Sequence, residues 1–229
     1  MQAPPAAQSR LLRRLLLGAL TLIIAAGLFG AIAEGVANPG PLTQLDVEIS
    51  QALHRRAEPA LTAVMLAVTH LHSTVAVSFY AAVLAAILTR RRQWRRLAAL
   101  LLCVPGGMGV NVLMKLAFQR ARPDFDDPLL SLSTYSFPSG HVAATTLLYG
   151  FGVAWVFAAT ARWPLRGAAV AAWVVAVLLV AFSRVYLGVH YPSDVAAAVA
   201  EGIAWLAVCL GALAAFWRES ASASMPVSG

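Results

Sequence analysis

Six apolar runs, each long enough to cross a membrane, divide the chain: residues 15–33, 73–89, 97–118, 141–160, 166–183 and 193–217. A helix rises about 1.5 Å per residue, so the first run reaches about 28 Å, close to the ~30 Å hydrocarbon layer. Backbone in lipid has no water to bond, so each run must satisfy its own amides as a helix. The fold class that follows is all-α, a polytopic membrane helix bundle of about six transmembrane helices. Composition agrees. The chain is 60% hydrophobic and 12% charged, against about 25% charged in a soluble domain. Its mean hydropathy is +0.74.

Between the first two spans, residues 38–58 mix Leu42, Leu45, Val47, Ile49 and Leu53 with polar residues behind Pro39, Gly40 and Pro41. This pattern predicts an interfacial helix rather than a span. The apolar stretch 60–89 is too long for one perpendicular crossing, and His70, His72, Ser73 and Thr74 interrupt it. A short interfacial piece before a span at 73–89 fits, as does a tight pair of short helices. Ala31-Ile32-Ala33 resembles a signal-cleavage site. The preceding core is long for a signal peptide, so an uncleaved first span is expected. Residues 11–217 then form a single membrane-embedded domain, with residues 1–10 and 218–229 as disordered cytoplasmic tails.

The net charge of +7 does not indicate nucleic-acid binding, because the arginines flank apolar runs instead of forming a basic patch. Six spans put both termini on one side. Eleven of the 17 basic residues fall there, including Arg90, Arg91, Arg92, Arg95 and Arg96 beside Trp94. That excess predicts cytoplasmic termini and an extracytoplasmic site, and the Ala and Arg bias is consistent with a bacterial inner membrane. The six exceptions are Arg55, Arg56, Lys115, Arg120, Arg122 and Arg184, most of them at helix ends beside the other reactive residues. Cys103 and Cys209 sit inside apolar runs as buried free thiols.

Three short stretches carry the chemistry. Lys115 and Arg122 are seven apart, near two helical turns, and are expected on one face of the third span, which Pro123 ends. Ser136-Phe137-Pro138-Ser139-Gly140-His141 opens the fourth span. Proline presets a first helical turn, glycine admits an anion close to the backbone, and free N–H groups at a helix start bind phosphate. Ser139 adds a hydroxyl donor. His141 stands where a proton donor reaches a leaving oxygen. The third stretch runs from Ser183-Arg184 to His190-Tyr191-Pro192-Ser193-Asp194. Asp194 favours a helix N-terminus and can accept a hydrogen bond from one nitrogen of His190. The other nitrogen is then unprotonated and aimed, as a nucleophile requires.

Taken in order, Lys-x6-Arg-Pro, Pro-Ser-Gly-His and Ser-Arg-x5-His-x3-Asp resemble the three signatures of the type-2 phosphatidic acid phosphatase superfamily. That superfamily also holds vanadium haloperoxidases and glucose-6-phosphatases. The resemblance covers residues 115–194 at full spacing, and the surrounding helices match a six-span plan. It implies that Lys115, Arg122 and Arg184 clamp phosphoryl oxygens, with Ser139 and the Gly140 amide completing the cradle. A charge pair at ~4 Å and an effective dielectric near 20 is worth roughly 4 kcal/mol before desolvation. It further implies that His190 attacks phosphorus, Asp194 orients it, and His141 protonates the leaving group and then serves as base.

The implied activity is hydrolysis of a lipid phosphate or pyrophosphate, such as undecaprenyl pyrophosphate, phosphatidic acid or phosphatidylglycerol phosphate. It proceeds through a phospho-histidine without metal or cofactor. Membrane lipids are the expected surroundings, with no nucleic acid and no obligate protein partner. A phosphotransferase of the same fold would differ in product. A haloperoxidase is disfavoured by the membrane character, and a transporter by charges that gather at one membrane face instead of the midplane. Asp124, Asp126 and Asp127 could hold a divalent cation but read as a solvated loop, and His70 and His72 read as interfacial. Tyr186 and Tyr191 are expected at headgroup level.

Overall fold

The structure, a computed structural model, describes residues 5–223. Among these residues it has eight helices and no strand: α1 (Pro5–Ala37), α2 (Pro41–His54), α3 (Pro59–Leu71), α4 (Thr74–Arg90), α5 (Trp94–Phe118), α6 (Gly140–Ala159), α7 (Trp163–Tyr186) and α8 (Pro192–Ala223). α1 and α8 extend into both segments expected to be disordered tails. The remainder of those segments, 1–4 and 224–229, lies outside the described residues.

Five helices are long and apolar enough to cross a membrane alone: α1 from Leu15, α5, α6, α7, and α8 as far as Ala215. The stretch 60–89 becomes α3 and α4, bent by 41° at a short break and passing together as a sixth span. Ser73 makes the break: its Oγ accepts from Ala76 N at 3.1 Å and caps α4. Successive spans alternate in direction. The arginine-rich α4–α5 and α6–α7 turns therefore share one end of the bundle. The C-termini of α5 and α7 and the N-termini of α6 and α8 share the other.

α6 packs against α4, α5, α7 and α8, and α1 lies along α8. Lipid tails are as apolar as leucine, so contact between spans depends on close fit. Glycines supply it on α6 and α8. A Cβ on Gly202 would come 2.7 Å from Thr146 Cγ2, and one on Gly150 would come 2.5 Å from Leu206 Cδ1. Around this contact Leu88, Leu100, Val104, Ala144, Leu147 and Phe151 form a buried core. α1 and α7 turn most of their surface outward, as lipid-facing spans should.

α2 is the interfacial helix expected after the first span, and its sidedness is informative. Leu45 and Val47 are exposed while Asp46 and Ser50 are buried. The helix turns part of its apolar surface to lipid and a carboxylate to the protein.

Candidate active site

α7 ends in Ser183-Arg184-Val185-Tyr186, and the chain turns through Leu187 and Gly188 before reaching His190. Gly188 has φ +70°, and a Cβ there would lie 2.8 Å from Phe125 Cε2. Glycine is therefore required both for the left-handed turn and for the space. Val189 N donates to Arg184 O at 3.2 Å, so the turn folds back over the end of α7.

This turn buries His190 almost completely. Its Nε2 lies 3.1 Å from Arg122 Nη1. A guanidinium only donates, so Nε2 must be the acceptor and Nδ1 the protonated nitrogen. Nδ1 faces Asp194 Oδ2 and Ser136 Oγ, both at a long 3.4 Å. Burial lowers the His190 pKa to about 3, against the opposing hydrogen bond and charge of Asp194. The ring is neutral at physiological pH.

Asp194, in the first turn of α8, is fully buried and held on several sides. Its Oδ2 accepts from Ser136 Oγ and from Tyr191 N at 2.8 Å. Its Oδ1 accepts from Arg120 Nη1 at 2.6 Å. Its carbonyl accepts from Ser139 N at 3.1 Å, which ties the start of α6 to the start of α8.

At the α6 start, Ser139 is the N-cap and Gly140 the first helical residue. A Cβ on Gly140 would stand 3.4 Å from Asn111 Oδ1 and 3.8 Å from Lys115 Cε, so α6 begins close against α5. Ser139 Oγ, Arg184 Nε and Arg184 Nη2 are buried without a hydrogen-bond partner. Only Arg184 Nη1 is engaged, by Thr69 of α3. Orphaned buried donors cost about 1–3 kcal/mol each, and more when charged. A guanidinium edge, a hydroxyl and a helix N-terminus together suit an anion with several oxygens. The His141 carbonyl accepts from Thr145 Oγ1 at 2.8 Å, and its ring stands beside the cations. Arg184, His190, Arg122 and Lys115 all act on it electrostatically.

Lys115 and Arg122 reach the site differently from the expectation. α5 stops at Phe118 because Gln119 takes a left-handed conformation with φ 45°, four residues before Pro123. The two cations therefore do not share a helical face. Lys115 points from the last turn of α5 and donates to Tyr135 O at 2.8 Å and Ser136 O at 3.3 Å. Arg122 lies in the following loop. It donates to Thr134 O at 2.7 Å, Thr134 Oγ1 at 2.9 Å, Tyr135 O at 3.1 Å and the carbonyl of Val189. Burial pulls its pKa below the ordinary value, with Asp194 opposing. Lys115 retains one unused N–H, whereas Arg184 carries the unengaged donor face.

Several residues around the site were not assigned a role from sequence. Ser136 and Arg120 both touch Asp194. Asp46 of α2 meets Arg120 and Ser193 across 74 and 147 residues of chain. Glu201 of α8 accepts from Asn111 of α5 at 2.9 Å, inside the bundle beneath Gly140. The available signal was a charged residue within a helix or beside a motif, with nothing local to name its partner. Tyr186, the last residue of α7, is buried, and its hydroxyl accepts from Glu58 N at 2.9 Å and fixes the start of α3. Asp127 pairs with His54 at 2.7 Å, and His72 bonds Val68 O and Tyr149. No group of three or more His, Cys, Asp or Glu side chains suited to a metal occurs among the described residues.

A family model for the PAP2 superfamily matches residues 96–218, more than half of the chain. The chain belongs to the PAP2 superfamily. The chain is similar to phosphatidylglycerophosphatase B of Bacillus subtilis, 31% identical over 180 residues covering 77% of this chain and 87% of that one. It is also similar to a decaprenylphosphoryl-5-phosphoribose phosphatase of Mycobacterium tuberculosis, 36% identical over 49% of this chain and 57% of the other. The crystal structure of a transmembrane PAP2-type phosphatidylglycerolphosphate phosphatase from Bacillus subtilis superposes with a TM-score of 0.74 at 25% identity, covering 87% of this chain and 96% of that one. The type-2 phosphatidic acid phosphatase resemblance is thereby established, and the protein is an integral membrane phosphatase of the superfamily.

Proposed function

We propose that the protein hydrolyses a lipid phosphomonoester or pyrophosphate through a phosphorylated His190. The observation that supports this best is the pairing of two features. One is a neutral imidazole whose unprotonated Nε2 faces Arg122. The other is a set of buried donors on Arg184 and Ser139 that lack an acceptor. A phosphoryl group fitted to those donors has its phosphorus presented to a nucleophile already in the reactive tautomer.

In the first step His190 Nε2 forms a bond to phosphorus as the P–O bond to the lipid breaks. His141 gives its proton to the departing oxygen, which becomes an alcohol or a lipid phosphate. Nδ1–H stays directed at Asp194, which stabilises the positive charge that develops on the ring. In the second step His141 takes a proton from water and the water oxygen bonds to phosphorus. The P–N bond breaks and its electron pair returns to Nε2. Arg184, Lys115, Arg122, Ser139 and the Gly140 amide stabilise the equatorial oxygens in both steps. The reaction is metal-independent, since these cations and the helix N-terminus supply the field that a divalent ion would.

The relatives act on lipid-anchored phosphates, which supports a membrane lipid as substrate. The test is phosphate release in detergent from phosphatidylglycerol phosphate, phosphatidic acid, undecaprenyl pyrophosphate and a decaprenyl-linked phosphoribose phosphate, with and without excess chelator. Release from at least one, unchanged by chelator, is expected. Transfer to an acceptor without free phosphate would indicate a phosphotransferase. Loss of turnover in chelator, restored by Mg2+, would contradict metal independence.

A further inference from the structure

Asp46 lies on α2, outside the span 96–218 matched by the family model, yet it is 1% exposed and ends at the active site. Its Oδ2 accepts from Arg120 Nη2 at 2.8 Å and from Ser193 Oγ. Its Oδ1 accepts from Ser193 N at 2.9 Å. The other arm of Arg120, Nη1, donates to Ser193 Oγ at 2.8 Å and Asp194 Oδ1 at 2.6 Å. The guanidinium carbon sits 4.3 Å from the centre of the Tyr191 ring, which closes one face. Arg120 thus bridges two buried carboxylates, and the negative charges of Asp194 and Asp46 raise its pKa despite burial.

The bridge has a directional consequence. With Oδ1 taken by Arg120, the Asp194 carboxylate plane is fixed and Oδ2 is the oxygen left to face His190 Nδ1. Without that arm the carboxylate can rotate between Ser136, Tyr191 N and His190. At 3.4 Å, the Asp194–His190 contact has little slack before it is lost. Asp46 fixes the arm in turn, since an arginine with one anchored edge presents its second edge at a set angle. α2 is held to the catalytic loop at its other end too, where His54 stacks on Phe125 at 4.1 Å, the residue that packs over Gly188.

We propose that Asp46 and Arg120 are positioning residues for the Asp194–His190 pair, which makes the interfacial helix α2 a working part of the active site. This rests on the reading of His190 as nucleophile. The residues touch no substrate, and their effect passes through the orientation of Asp194.

The experiment uses full-length protein in detergent with Asp46→Asn and Arg120→Lys. An amide at position 46 turns a donor toward Arg120 or Ser193. A lysine at position 120 has one ammonium where two fork arms are needed. Partners that orient a metal-bound histidine cost about 10–100-fold when removed, and a loss of that size is expected here in kcat and in rapid-quench phospho-enzyme formation. KM and the inhibition constant for inorganic phosphate should stay within about 3-fold, because the phosphate clamp is untouched. The double variant should be no slower than the worse single, as expected for residues acting in one chain. Wild-type rates of phospho-enzyme formation in both variants would overturn the proposal. So would a parallel loss of inorganic phosphate binding, which marks general loosening of the site. If Asp46→Asn does not fold, Arg120→Lys carries the same readouts. If wild-type enzyme carries no label on His190, the nucleophile assignment fails separately, before either variant is compared.

Discussion

His190 Nε2 and Arg122 Nη1 lie 3.1 Å apart, and across that gap only the arginine can donate. This contact fixes the tautomer of a buried imidazole with no ligand needed to define it. It also places a permanent positive charge beside the nitrogen proposed to attack phosphorus.

The first prediction concerns that ring. Burial holds His190 down at about 3, so it stays neutral while an ordinary histidine would be protonated below about 6.5. A group with a depressed folded value favours the native state above the unfolded value and opposes it as pH falls below. NMR of ring-labelled histidine, assigned with His190→Gln, should show no titration of His190 between pH 8 and 5. A midpoint near 6.5 would contradict the burial argument. Stability in detergent should decline as pH drops below about 6.5, where only the unfolded chain takes up the proton.

Arg184 is the second case. Its buried Nε and Nη2 have no acceptor in the protein. Arg184→Met should lower kcat/KM by about 100–1,000-fold, the usual loss when one transition-state donor is removed. The same change should leave thermal stability in detergent equal or higher, since an uncompensated buried charge disappears. A fall in stability with activity retained would make Arg184 a structural residue held by Thr69.

How far the sequence could be read bears on where such residues are found. The spans were legible because lipid demands uninterrupted apolar helices, and Ser139, Gly140, His141, His190 and Asp194 could be singled out as candidates because each motif is local. The course of Arg122 was not: a left-handed Gln119 ends α5 early, and seven-residue spacing carries no trace of it. Asp46 was hidden by distance, since its partner Ser193 is 147 residues away. The burial of Tyr186 had no local signal either, since Met65 and Leu66 of α3 and Leu129 and Leu130 of the loop after α5 pack around it.

Gly188 provides a stability prediction. An alanine there must adopt φ +70° and bring its Cβ within 2.8 Å of Phe125. Gly188→Ala should destabilise the protein by about 1–2 kcal/mol from the left-handed backbone alone, with more from the contact. It should also displace His190 and reduce turnover. Thermal unfolding in detergent checks the first effect. An unchanged midpoint would mean that the loop yields freely and does not fix the imidazole.

The arginine asymmetry predicts an extracytoplasmic site. With Cys103 and Cys209 replaced by alanine, a cysteine at the exposed Leu132 should react with an impermeant maleimide in intact bacterial cells. Labelling only after lysis would reverse the orientation.

The most direct test of the mechanism is to quench the enzyme during turnover of a 32P-labelled lipid phosphate and map the labelled peptide. Label should be acid-labile and sit on His190. It should be absent from His190→Ala and reduced by about 10,000-fold in formation rate in Asp194→Asn, as when an imidazole is held in the wrong tautomer. Label on the His141 peptide, or a phospho-enzyme that persists in His190→Ala, would contradict the assignment of His190 as nucleophile.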